Sequence, residues 1–161
     1  MMNPGKSLLM ALPLLALTVA TTTAAPLVTT LPGPKDKCPV CGMLVANYPD
    51  WVVTVTFRDS TVVYFDGAKD FFTYFQNTMK YTPNRHFTFI ASIAIKDYYH
   101  LKQIDARTAY YVTGSDVYGP MGKELIPFEH QNDALIFFKD HSGKKVLRFK
   151  DITPAVLKSL E

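Results

Sequence analysis

Residues 51–75 read WVVTVTFRDSTVVYFDGAKDFFTYF, and the periods within this stretch set the fold class. Trp51 to Phe57 is dense in β-branched and aromatic side chains, which suit a pleated, half-buried surface. Arg58-Asp59-Ser60 is a tight polar turn, and Thr61 to Phe65 returns as a second strand. From Asp66 the period changes. Ala68, Phe71, Phe72, Phe75 and Met79 recur at helical spacing. A helix is predicted here, with Asp66 as its N-cap, Met79 on its core face and an end before Pro83. A further strand is expected around Ile90 to Ile95.

Downstream the same alphabet recurs. Thr108 to Val112 reads as a strand, and Gly114 to Gly122 as a long glycine-rich loop. Asp133 to His141 reads as a helix stopped by Gly143. Lys145 to Phe149 is a strand, and Thr153 caps a last short helix that opens with Pro154. The expected fold class is α+β: two successive lobes, about residues 38–100 and 105–161, each a small antiparallel sheet with a helix.

Upstream, residues 1–25 have the pattern of an export signal. Lys6 supplies a positive start, Ser7 to Ala20 an apolar run, and Thr21 to Ala25 small residues suited to cleavage after Ala24. The run is shorter than the ~20 residues that span a bilayer and contains Pro13, although an uncleaved anchor is the alternative reading. No cysteine follows it closely. Cys38 comes after the polar stretch Gly33-Pro34-Lys35-Asp36-Lys37, so no lipid attachment is expected there. Residues 26–37 read as a Pro/Gly-rich linker. With 48% hydrophobic and 13% aromatic residues, the remainder can bury a real core. A formal charge of +3, scattered along the chain, gives no basis for a nucleic-acid partner.

Both cysteines of the chain lie in Cys38-Pro39-Val40-Cys41-Gly42-Met43. Two thiols and a thioether are soft donors, which favour Cu(I) over Mg²⁺ or Ca²⁺. Gly42 permits the tight backbone that convergence of the sulfurs requires. The spacing also suits a redox dithiol, half of a zinc site or a small incidental disulfide. A thioredoxin-like dithiol sits where a strand enters a helix. Here a charged, proline-bearing linker precedes the pair and Gly42 follows, so no helix N-terminus is expected beneath Cys38. A closed zinc site needs four ligands, yet no second Cys-x-x-Cys and no His-x₃₋₅-His pair occurs. In the second half, Met121 is the soft donor of Gly119-Pro120-Met121-Gly122, and the alternative is that it covers apolar surface. His100 and His130 are kept as possible extra donors.

Taken together, these segments resemble the NosL family of copper-binding accessory proteins. The matching residues are Cys38, Cys41, Gly42 and Met43, the Phe65-Asp66 junction, and Asp97-Tyr98, Asp105-Ala106 and Ala109. Tyr111-Val112, Gly114-Ser115, Gly119-Pro120-Met121-Gly122 and Pro127-Phe128 match as well, so the likeness runs from about residue 37 to 150. The resemblance implies two ββαβ-type lobes, similar to the core of organomercurial lyase. It also implies an exported, non-enzymatic Cu(I) metallochaperone that serves nitrous oxide reductase or its assembly factors. Cys38, Cys41 and Met43 are the expected metal ligands, with Met121 reaching across from the second lobe. Family members are often lipoproteins; this chain lacks the acceptor cysteine, so membrane tethering is not implied for it. The competing reading is an exported thiol-disulfide protein acting through Cys38 and Cys41.

Overall fold

The computed structural model describes residues 30–161, together with Met1 and Leu27; the export-signal segment therefore lies outside the described residues. Strands β1 (Val53–Phe57) and β2 (Val62–Phe65) pair antiparallel, with Val53 opposite Phe65. Helices α1 (Ala68–Gln76) and α2 (Thr78–Tyr81) lead to β3 (Ile90–Lys96), which pairs with the other edge of β1, and β4 (Gln103–Asp105) extends the sheet. The second half repeats the plan. β5 (Tyr110–Gly119) is flanked by β6 (Gly122–Phe128) and, after α3 (Gln131–Asp140), by β7 (Lys145–Arg148). In both sheets the first strand is central, giving the orders β2-β1-β3-β4 and β6-β5-β7. The fold is thus α+β with two antiparallel ββαβ units in succession, as expected. A last helix, α4 (Pro154–Lys158), packs back onto α1. Its cap is Thr153, whose hydroxyl oxygen accepts from Val156 N at 3.4 Å.

Alternation along β5 and β6 divides the apolar residues between two layers. Tyr111 and Leu125 face the larger core, with Phe65, Phe71, Phe72, Ile93 and Ile95 of the first half and Ile152, Leu157 and Leu160 of the C-terminus. Val112, Ile126 and Phe128 face the opposite way and meet Ala134 and Phe137 of α3. Phe72 joins the halves, edge-on to Tyr111 at 5.2 Å and 4.9 Å from Phe149 between ring centroids.

Four local expectations are corrected. The helix does not continue to Pro83. Asn77 leaves the helical region (φ −146°, ψ 59°), and the shifted phase of α2 buries Thr78 and leaves Met79 56% exposed rather than in the core. The glycine-rich segment is no loop: β5 runs through Gly114 to Gly119, and Pro120-Met121 is a two-residue turn into β6. At the end of α3, Ser142 takes the left-handed conformation (φ 55°) expected of Gly143. Gly143 serves close packing instead, since a Cβ there would lie 2.7 Å from Val112 Cγ1.

The fourth correction concerns the start of α1. Asp66 is not the cap. Gly67 holds the N-cap position and has no side chain to offer. Glu124 of β6 fills the role from the other half, its Oε1 accepting from Lys69 N at 2.6 Å and Leu125 N at 2.8 Å. A Cβ at Gly67 would overlap Glu124 Oε2, and one at Gly119 would press to 3.0 Å of Glu124 Cγ. The carboxyl thus needs glycine on both sides.

Burial pushes Glu124 up from 4.5 to about 8, against the two N–H groups that favour its ionised form. A raised folded-state value contributes stability that is complete below pH 4.5 and lost as pH rises through about 8. Glu124→Gln keeps the Oε1 acceptor and removes the titration. Its thermal midpoint should match wild type near pH 4.5 and exceed it increasingly toward pH 8, which calorimetry over that range measures.

Candidate metal centre

Residues 37–44 form a tight loop closed by its own backbone. Lys37 and Leu44 make an antiparallel bridge. Cys38 N donates to Met43 O at 2.9 Å, and Gly42 N donates to Cys38 O at 2.9 Å. Gly42 sits at φ +80°, in the left-handed region that a side chain would strain. Fully buried Val45 anchors the loop to the core, and Val45 N donates to Asp36 O at 3.0 Å. Cys38 is buried, Cys41 and Met43 are half-buried, and both thiols are free.

The loop rests on the start of α1. The Cys38 thiol donates to Asp70 Oδ2 at 3.3 Å, and the Cys41 thiol to Asp66 Oδ1 at 3.3 Å. One donor atom from each of Cys38, Cys41, Asp66 and Asp70 lies within 4.8 Å of the other three. Among the described residues this is the one group of three or more Cys, His, Asp or Glu side chains close enough to hold an ion. Asp66 precedes α1 and Asp70 lies in its first turn, so both carboxylates come from the junction that ends β2.

A helix N-terminus is therefore near the thiols after all, contributed by α1 rather than by the cysteine motif. It does not acidify them. Burial is the main cause of a Cys41 pKa pushed up to about 12, and the Asp70 carboxylate adds to it. Cys38 is pushed higher still, first by burial and then by the same carboxylates, against the pull of neighbouring backbone N–H groups. At neutral pH both sulfurs are thiols hydrogen-bonded to carboxylates.

The other sequence-selected residues fall in two places. Met121 is 43% exposed at the tip of the β5–β6 arm. Its carbonyl accepts from Lys69 Nζ at 2.6 Å, and Lys69 stands between Asp66 and Asp70 in sequence. The Met121 turn is thus tied to the helix turn that carries both carboxylates. His100 and His130 lie elsewhere. His100 Nδ1 is 2.9 Å from Asp97 Oδ1, and buried Asp97 also accepts from Glu129 N at 2.7 Å. Glu129 is five residues beyond Glu124 on the β6 path, about 17 Å for an extended chain. The structure does not bring these histidines to the thiols.

Sequence reasoning missed Asp66, Asp70 and Glu124 as parts of the site. One signal was present: Asp66-Gly67 at the strand-to-helix junction carries two residues common at caps where one would do. Asp70 sits among helix-face aromatics, and only the fold turns it toward a loop 32 residues away.

The two-lobed α+β fold thus carries a thiol–carboxylate cluster whose donors are close enough to hold a metal ion. The family model described as NosL matches residues 30–157, and the chain belongs to that family. It is 29% identical over 126 residues to the copper-binding lipoprotein NosL of Stutzerimonas stutzeri, an alignment covering 76% of this chain and 65% of that relative's length. The crystal structure of the copper chaperone NosL from Shewanella denitrificans matches with a TM-score of 0.67 and 25% identity, over 81% of this chain and 99% of that one.

If the carboxylates help hold the thiols protonated, Asp70→Asn should lower the Cys41 pKa. Alkylation by iodoacetamide at pH 8 should then be faster than in wild type, because the thiolate is the nucleophile. An unchanged rate would remove the Asp70 carboxylate from the causes of the raised Cys41 pKa.

Proposed function

We propose that this protein is an exported carrier of Cu(I), not an enzyme, which passes copper to an extracytoplasmic cuproenzyme, nitrous oxide reductase being the client that the family suggests. The observation that carries the reading is the gathering of Cys38, Cys41 and Met43 into one closed turn, over a helix start tied to the Met121 turn. Copper is the cargo, and its ligands would be the sulfurs of Cys38, Cys41, Met43 and Met121. Soft sulfur suits Cu(I), whereas carboxylate oxygens suit harder ions. Asp66 and Asp70 then act beside the ion: they draw a cation toward the thiols and accept their hydrogen bonds until copper displaces the protons.

The thiol acidities support a carrier over a disulfide-exchange protein. Exchange needs an accessible thiol of depressed pKa. Cys38 is buried and Cys41 is pushed up to about 12. A carrier gains from this arrangement. The empty site stays protonated, and affinity is set by competition between copper and protons, so a recipient's ligands can shift the balance. One observation keeps zinc as the competing cargo: two thiols and two carboxylates also make a four-donor set for a borderline ion.

Anaerobic titration of the reduced protein against a Cu(I) chelator tests the reading. About one Cu(I) per chain should bind, in preference to Zn²⁺. Affinity should rise with pH by about tenfold per unit for each thiol proton displaced. Met121→Leu, close in volume to the original, should weaken Cu(I) binding and leave the thermal midpoint of the apoprotein near wild type. Zinc held as tightly as copper would overturn the carrier reading. Wild-type affinity in the Leu variant would remove Met121 from the ligand set.

A further inference from the structure

The β5–β6 arm has two faces of different character. Gly119 and Glu124 turn toward α1, while paired Tyr118 and Lys123 turn the opposite way. There they line an open groove of about 600 Å³, bounded across from the arm by Lys144, Lys145 and helix α4. No carboxylate lines it. Among the described residues, Lys123, Lys144 and Lys145 enter no ion pair. Ser115, also in the lining, has a buried hydroxyl oxygen without a hydrogen-bond partner. The placement of Lys144 is built into the backbone. Gly114 sits at φ +77°, and a Cβ there would come within 2.7 Å of the Lys144 stem, so only a bare glycine lets that side chain lie across the strand.

We propose that this groove is a docking site for an acidic polypeptide segment, carried by the protein that takes the copper; the identity of that occupant rests on the carrier reading above. Three unpaired ammonium groups around a concave channel offer carboxylates partners on both walls. Hydroxyls along the floor, and Val156 and Leu160 on the α4 side, suit a peptide with polar and aliphatic contacts. A bilayer surface is flat and cannot follow a concave wall, and a single small anion would leave most of the volume empty. Location supplies the functional link. The arm that forms one wall ends at Met121, so a segment seated here lies against Tyr118 and Lys123, on the strands that lead into the turn tied to the thiol site.

The test uses an acetylated, fluorescently labelled hexaglutamate peptide with the reduced full chain and with the triple variant Lys123→Gln, Lys144→Gln, Lys145→Gln. Anisotropy should report binding at low salt that is lost at about 0.5 M salt, where the screening length is only a few ångströms. The triple variant should bind about tenfold more weakly, the combined effect of three exposed charge contacts. Carbodiimide cross-linking should join the peptide to these three lysines. Cu(I) stoichiometry should be equal in both proteins. Equal peptide affinity in the two proteins, or cross-links confined to other lysines, would overturn the proposal. Tighter, lysine-dependent binding to phosphatidylglycerol vesicles than to the peptide would overturn it in favour of a membrane. Peptide binding by a chain that retains no Cu(I) would remove the copper recipient as the occupant while leaving the acidic specificity of the groove.

Discussion

The contact between Glu124 and the first turn of α1 fixes the geometry on which the site depends. It supplies the cap that Gly67 lacks, and it does so from the second sheet. Two consequences follow. Asp66, relieved of capping, is free to face Cys41. The β5–β6 arm is held against the helix start, so that Lys69 reaches the Met121 carbonyl. A buried carboxyl with only glycine on either side tolerates no substitution that adds bulk, which explains why two glycines from different halves meet at one side chain. The common core under Phe72, Tyr111 and Phe149 keeps the two sheets in the relation that this contact requires.

Around this frame, the chemistry of the cysteine loop is governed by what surrounds it. A Cys-x-x-Cys pair on its own helix would have its first thiol acidified by the helix dipole. Here the loop is closed by its own hydrogen bonds, and the neighbouring helix start brings two carboxylates with it. Burial first, and then the nearby negative charge, raises both thiol pKa values, so the thiols stay protonated. Sulfurs of this kind are poor nucleophiles, yet they become good ligands as soon as a cation strong enough to displace the protons arrives.

Much of the fold was legible because its signals are local. The β-branched runs at 51–57 and 61–65, the helical stripe after Asp66 and the Thr153-Pro154 start each identify an element without outside help. The misreadings arose where tertiary contacts overrode local preference. Asn77 breaks a helix whose apolar period continues through Met79, and β5 runs on from Gly114 to Gly119 despite its glycines, its pairing with β6 resuming at Tyr118. The site divides along the same line. Cys38, Cys41 and Met43 lie close together in sequence and could be found there, whereas Asp66 and Asp70 meet the cysteines across gaps of 25 and 32 residues, and Glu124 reaches Lys69 at the helix start across 55. Residues of that kind carry no local motif, and each had a plausible ordinary role as cap, helix-surface acid or strand residue.

In the proposed carrier, sulfur holds the metal while carboxylates stand beside it. X-ray absorption at the copper K-edge, on reduced protein loaded with one equivalent of Cu(I), tests this most directly. The expected spectrum has a first shell of sulfur scatterers alone, unchanged in Asp66→Asn and Asp70→Asn. A first shell dominated by oxygen or nitrogen, or one that loses a scatterer when either aspartate is replaced, would contradict it.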